Sequence, residues 1–185
     1  MYDSPLLKLL DGRYATRAIL PDPLPQDTVN ALIEAIRLTP SCANKQPWRY
    51  LFVQSEEGLA KAREALTGGN RGWAITAPLL VIGYAKAQND CQPGDGREYY
   101  HFDTGMSTMN LMLEATAHDL VARPMAGWKP EMIRKDFGLE DDDEPIVMVA
   151  IGKRNPDDSY VPDSYKGLDD KPRTRKAADE IIRHA

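Results

Sequence analysis

Apolar and polar positions along this chain follow two periods, one of helices and one of strands. Residues 1–24 form a short amphipathic opening, then a polar run from Asp11 to Arg17, then a stretch broken by prolines. Val29, Leu32, Ile33 and Ile36 recur at helical spacing and predict an amphipathic helix over 26–38. Pro25 suits its first position, Asp27 lies in its favourable first turn, and Pro40 ends it. Tyr50-Leu51-Phe52-Val53 predicts a short buried strand, and Ser55 can cap a helix over 56–66 that Gly68-Gly69 stops. Pro78 to Ala85 and Pro145 to Gly152 are apolar on both faces and predict two central strands. Between them, Asp103 to His118 is the longest helical pattern. Met106, Met109, Leu111, Met112, Leu113, Ala115 and Ala117 spread apolar surface almost all round it, which suits a core or a subunit interface. Its methionines read as packing. Residues 87–97 read as loop, Pro130 to Phe137 as a short helix closed by Gly138, and Glu140 to Glu144 as a solvated acidic loop. In the polar tail, only Ala177 to Arg183 looks helical.

A chain of 185 residues fits one domain, 1–185, large enough to bury a core without staples. The formal net charge of −5 argues against a general nucleic-acid surface but leaves room for a small basic pocket. The longest strongly apolar stretch, Ala74 to Ala85, is short of the ~20 residues of a spanning helix. The N-terminus lacks the layout of an export signal, so a soluble, cytoplasmic protein without membrane contact is expected. Cys42 and Cys91 share no ligand spacing with each other or with His101, His118 and His184, so no metal site is expected. Both cysteines are expected as reduced thiols, with Cys42 a small packing residue.

The common catalytic strings are missing: no GxGxxG, no GxxxxGK[ST] and no GxSxG occurs. Arg13 and Arg17 lie four apart after Gly12, and Lys171, Arg173, Arg175 and Lys176 form a second basic cluster. Each suits a phosphate or a solvated surface. Gly68-Gly69-Asn70 is a weak cradle signal. Two polar turns stand out more. Pro40-Ser41-Cys42-Ala43-Asn44-Lys45-Gln46-Pro47-Trp48 lies between a buried helix and a buried strand, and can offer hydroxyl and amide groups to a planar ligand. Pro124-Met125-Ala126-Gly127-Trp128 lets backbone N–H groups approach a ligand closely.

The order of these pieces resembles the nitroreductase family of FMN-dependent oxidoreductases. The likeness spans nearly the whole chain: Arg13-x-x-x-Arg17, the Pro40 to Trp48 run, Ala77-Pro78 entering a strand, Asn110-Leu111 in the long helix, Pro124 to Trp128, and Lys171-Pro172-Arg173. The resemblance implies an α+β fold, a mixed sheet flanked by helices, with long central helices at a homodimer interface. It implies tightly bound FMN at that interface and NADH or NADPH as co-substrate. It also implies a small-molecule acceptor such as a nitro compound or quinone, reduced by ping-pong hydride transfer through flavin N5, with no catalytic side chain. By the same resemblance, Arg13, Tyr14 and Ala15 meet the phosphate and ribityl chain, and Arg17 the pyrimidine end. Pro40, Ser41, Cys42 and Asn44 come from the other subunit. Asn70 meets the ring edge, Met125, Ala126 and Gly127 face the ring, and Lys171 and Arg173 bind the phosphate. Trp73 and Ala126 stand where many members carry a lysine and a glutamate. That departure implies a shifted flavin potential and keeps alive two alternatives: an FMN-storing or FMN-sensing protein, and another flavin chemistry on the same fold.

Overall fold

The computed structural model describes residues 4–157, 159, 161–169 and 172–185. Four strands form one sheet in the order β1-β2-β4-β3, from β1 (Trp48–Val53), β2 (Leu79–Ala85), β3 (Leu120–Met125) and β4 (Glu144–Lys153). Every pair of neighbours runs antiparallel, with Leu51 opposite Ile82, Val81 opposite Val149, and Ala122 opposite Ile151. β2 and β4 are central, as their apolar runs predict. β3 was not legible in the sequence. Its Pro124 carries no N–H, and β3 is an edge strand, the place where a missing donor is tolerated.

The helices are α1 (Pro5–Gly12), α2 (Gln26–Arg37), α3 (Glu56–Ala65), α4 (Gly68–Ala74), α5 (Tyr99–Ala117), α6 (Pro130–Asp136) and a single turn, α7 (Ala178–Ile181). Together with the sheet they give the expected α+β class. Side chains on a strand alternate between faces, and each face has its own apolar layer. Leu80, Ile82, Met148 and Ala150 meet Leu59, Ala62, Trp73 and Ile133 of α3, α4 and α6. Leu79, Val81, Val149 and Ile151 meet Val29, Leu32 and Ile36 of α2 and Leu111, Met112 and Ala115 of α5. Each such aliphatic side chain, fully buried, contributes about 1.5–3 kcal/mol.

Four local expectations change. Gly68-Gly69 opens α4 instead of only closing α3, and Gly68 takes a positive φ of 47° at that turn. α5 starts four residues early, and the inward side of its first half is polar: Asp103, Thr104, Ser107 and Thr108 are buried. The Tyr50 hydroxyl lies 2.7 Å from Ser107 Oγ and 2.9 Å from Thr108 Oγ1, and both of those hydroxyls donate to the Thr104 carbonyl. Met106, Met109 and Leu113 are half-buried. Within the acidic run, Asp143 is buried, because its carboxylate accepts the Glu140 N–H at 2.8 Å and its carbonyl accepts from Arg134. Lastly, Cys42 and Cys91 form a disulfide with Cα atoms 6.1 Å apart, where free thiols were expected. The loop after β2 returns beside the turn after α2, an approach that a separation of 49 residues does not reveal. No helix among the described residues is long and apolar enough to cross a membrane.

Candidate active site

Arg13 and Arg173 come from opposite ends of the chain and meet. The Arg173 guanidinium donates to the carbonyls of Leu10 and Arg13, each at 3.2 Å, and pairs with Asp11. The C-terminus of α1 places Arg13 there, since the Arg13 N–H closes that helix on the Leu9 carbonyl. With Arg175, Leu7 and Met109, these residues line a pocket of about 350 Å³. Burial lowers the pKa of the Arg13 guanidinium, and the positive charges of Arg173 and Arg175 lower it further. Three guanidiniums beside one carboxylate form a site short of negative charge. A phosphomonoester, with a charge of about −2 at neutral pH, supplies what is missing, and guanidinium binds it bidentately. The donor set therefore fits the phosphate end of FMN. Lys171 lies outside the described residues.

Residues 13–18 are irregular, and neighbours there line different hollows. Tyr14 borders a separate cleft of about 610 Å³ with Lys8, Thr16, Leu120 and Arg154. Ala15 offers its carbonyl to Arg123. Arg17 is held by Asp169, whose carboxylate pairs with the guanidinium and accepts the Arg17 backbone N–H at 2.7 Å. Arg17 also lies 5.1 Å from the centre of the Tyr165 ring. Arg123 shares Asp169 at 3.7 Å and stacks 5.1 Å from the Trp73 ring centre. Trp73 is only 1% exposed, so its ring supports Arg123 rather than facing a hollow. Burial, the largest cause, and then Arg17 push the Arg123 guanidinium down in pKa.

Asn70 and Gly127 are brought together as one unit. The Asn70 amide donates to the Gly127 carbonyl at 3.1 Å, and the Thr67 N–H donates to the same oxygen at 3.0 Å. A Cβ on Gly127 would lie 2.8 Å from Asn70 Nδ2, so only glycine fits without a shift. Met125 ends β3 and is buried, while Ala126 is exposed.

The Pro40 to Asn44 loop is tied to a different neighbour. Cys42 to Asn44 form one 3₁₀ turn, and the Cys42 N–H donates to Asp103 of α5 at 2.8 Å. Ser41 Oγ accepts the Gln46 N–H at 2.8 Å, and Pro40 and Asn44 are exposed. Ala43, Asn44 and Gln46 all adopt positive φ, so the turn holds a conformation that non-glycine residues rarely take. Its partners lie in α5, in the loop after β2 through the Cys42–Cys91 disulfide, and within the loop itself, whereas Arg13 and Arg17 meet the C-terminal segment.

Sequence reasoning missed Arg123, Tyr165 and Asp169. Arg123 sits in the unrecognised edge strand. Tyr165 and Asp169 lie in the polar tail, where only basic residues drew notice. Asp169 is the acid that organises Arg17 and Arg123, and nothing in its local sequence marks it.

The site is thus an α+β sheet with a cationic pocket at one end of α1. The profile of the nitroreductase family matches residues 10–72 and 66–153. A protein of Streptomyces coelicolor with a provisional NADH dehydrogenase/NAD(P)H nitroreductase name is 29% identical over 156 residues, covering 74% of this chain and 78% of its own. The crystal structure of an FMN-containing oxidoreductase superposes with a TM-score of 0.85 at 24% identity, covering 99% of this chain and 93% of its own. A nitroreductase family protein of Clostridium difficile superposes with a TM-score of 0.79 at 24% identity, covering 96% of each chain. The chain belongs to the nitroreductase family of oxidoreductases.

Proposed function

We propose that this chain is an FMN-dependent NAD(P)H oxidoreductase that reduces nitro compounds, quinones or related small acceptors. It acts as one domain, in the cytoplasm, in a homodimer whose interface holds two FMN molecules. The observation that carries the reading is the convergence of Arg13, Arg173 and Arg175 on one pocket. The FMN-containing structural neighbour and the nitroreductase name of the Streptomyces relative support it.

Bound FMN would supply the redox chemistry, taking hydride from NAD(P)H and passing the electrons to the acceptor in a ping-pong cycle. The chain's own residues bind and orient. Arg13 and Arg173, helped by Lys171, hold the phosphate. Asn70 and the Met125-Ala126-Gly127 turn present amide groups to the ring. Arg17 places a cation at its pyrimidine end, where negative charge gathers on reduction. The 40–44 turn reaches the partner's flavin. Arg123, propped on Trp73, restores a cation beside the position where many relatives carry lysine. This weighs toward turnover and against a protein that only stores or senses FMN.

The test is direct. Purified protein should be yellow, or become so with added FMN, and should oxidise NADH or NADPH only when a nitroarene or quinone is supplied. Bound flavin without acceptor-dependent turnover would favour the storage reading. A colourless protein that cannot be reconstituted would end both.

A further inference from the structure

The turn at Cys42, which the flavin reading places near the partner's flavin, and the loop at Cys91 also enclose two acids to which that reading gives no role. Four groups meet there from three segments: Cys42 of the 3₁₀ turn, Asp90 and Cys91 after β2, and Asp103 of α5. One ligand atom each from Cys42, Asp90 and Cys91 lies within 4.8 Å of the others. The two carboxylates are arranged alike. Asp90 Oδ1 accepts the Cys91 N–H at 2.7 Å, and Asp103 Oδ2 accepts the Cys42 N–H at 2.8 Å. Each acid thus grips the backbone of one cysteine with one oxygen. The other oxygens, Asp90 Oδ2 and Asp103 Oδ1, are buried without a backbone or basic side-chain donor, and the two carboxyls contact each other. The two residues are 1% and 0% exposed. Burying a carboxylate without a partner is costly, and buried charges are normally paired or coordinate a metal.

We propose that, once the disulfide is reduced, Cys42, Cys91 and Asp90 bind a thiophilic divalent cation of the zinc type, with Asp103 supporting the site. Thiolate and carboxylate are zinc ligands at about 2.3 Å and 2.0–2.2 Å, so ligand atoms on one zinc lie roughly 3–4 Å apart. The two Sγ atoms, bonded to each other in the disulfide, must separate on reduction to reach that spacing, while an Asp90 carboxylate oxygen already lies within 4.8 Å of both. Three protein ligands leave a fourth position for water. Asp103 orients Cys42 through its N–H, the role outer acids play at zinc sites. A dithiol reductant supplies two electrons and two protons to the S–S bond and leaves as its own cyclic disulfide. Both protons then pass to solvent as the thiolates take the metal. The cation thus replaces the covalent bridge between the turn and the loop. The disulfide and the metal are two alternative clips on one joint, each suited to one redox condition.

The test uses the full chain with its flavin. It is reduced with a dithiol, desalted without oxygen and titrated with cobalt(II), whose thiolate charge-transfer absorption reports sulfur ligation. Reduced protein should bind one cobalt per chain with that absorption, zinc should displace it, and oxidised protein should show neither. Asp103→Asn should weaken cobalt roughly tenfold to hundredfold, and Cys42→Ser with Cys91→Ser should abolish the absorption. Circular dichroism follows the fold throughout, and if reduction loosens the chain, zinc should restore it. Reduced protein that gains no thiolate–cobalt absorption, or that unfolds and is not rescued by zinc, overturns the proposal. Flavin content is read separately, so the FMN assignment stands or falls on its own.

Discussion

Arg13 and Arg173 meet across 160 positions of sequence, and the contact is made of backbone carbonyls as much as of charge. Residue chemistry alone left each basic cluster open between a phosphate and a solvated surface; the family resemblance paired Arg13 with Arg173, and the structure brings the two together. Arg175 could be read only as part of a basic cluster, and Asp169 could not be read at all, because a single acid in a polar tail has no local signature. Arg13→Ala or Arg173→Ala should each remove a charge-assisted phosphate contact worth about 1.5–3 kcal/mol and raise the FMN dissociation constant roughly tenfold to hundredfold. Lys61→Ala should not, since Lys61 pairs with Glu57 on an exposed helix face. Equilibrium titration of the apoproteins with FMN reads all three, and equal affinities would misplace the phosphate. Gly127→Ala asks a different question. The new methyl would crowd Asn70 and Thr67, and overpacking of this kind costs about 1–3 kcal/mol. Thermal unfolding should show the loss, and flavin binding should weaken with it.

At the scale of elements, strong periodicity was legible and irregular function was not. α2, β2 and β4 fall where their apolar spacing put them, because buried faces impose the period directly, and α3 falls where its Ser55 cap put it. β3 was hidden by Pro124, which reads as a turn until the strand is known to be at an edge. α5 carried the right pattern but the wrong reading of its inner side. Its first half meets the sheet through hydroxyls, and Tyr50 of β1 is their common partner. Tyr50→Phe should therefore cost only about 1 kcal/mol, since Ser107 and Thr108 keep the Thr104 carbonyl as acceptor. Its pH signature is sharper. Burial raises the Tyr50 phenol's pKa in the folded chain, against the hydrogen bonds it shares with Ser107 and Thr108. The unfolded chain gives up that proton near pH ~10, while the folded chain keeps it. Stability from this group is complete below that pH and is lost as pH rises through the folded value. Denaturant midpoints measured upward from pH 9 should fall more steeply for the native chain than for Tyr50→Phe, and parallel curves would refute the burial argument.

For the molecule as a whole, the acidic average charge and the basic pocket are reconciled by position. Negative charge is spread over loops such as Glu140 to Asp142, where Lys86 pairs with both of those end residues. Positive charge is gathered where α1 meets the C-terminal segment. The cysteine pairing was beyond sequence reasoning, because two thiols 49 residues apart announce nothing about their approach. The central claim is that this pocket recognises the phosphate of FMN, so the most direct measurement compares FMN with riboflavin, which lacks that phosphate, on the native apoprotein and on Arg173→Ala. The native chain should bind FMN at least tenfold more tightly than riboflavin, and the substitution should weaken FMN while leaving riboflavin nearly unchanged. Equal affinity for the two flavins on the native chain, or an equal loss of both in Arg173→Ala, would contradict the account.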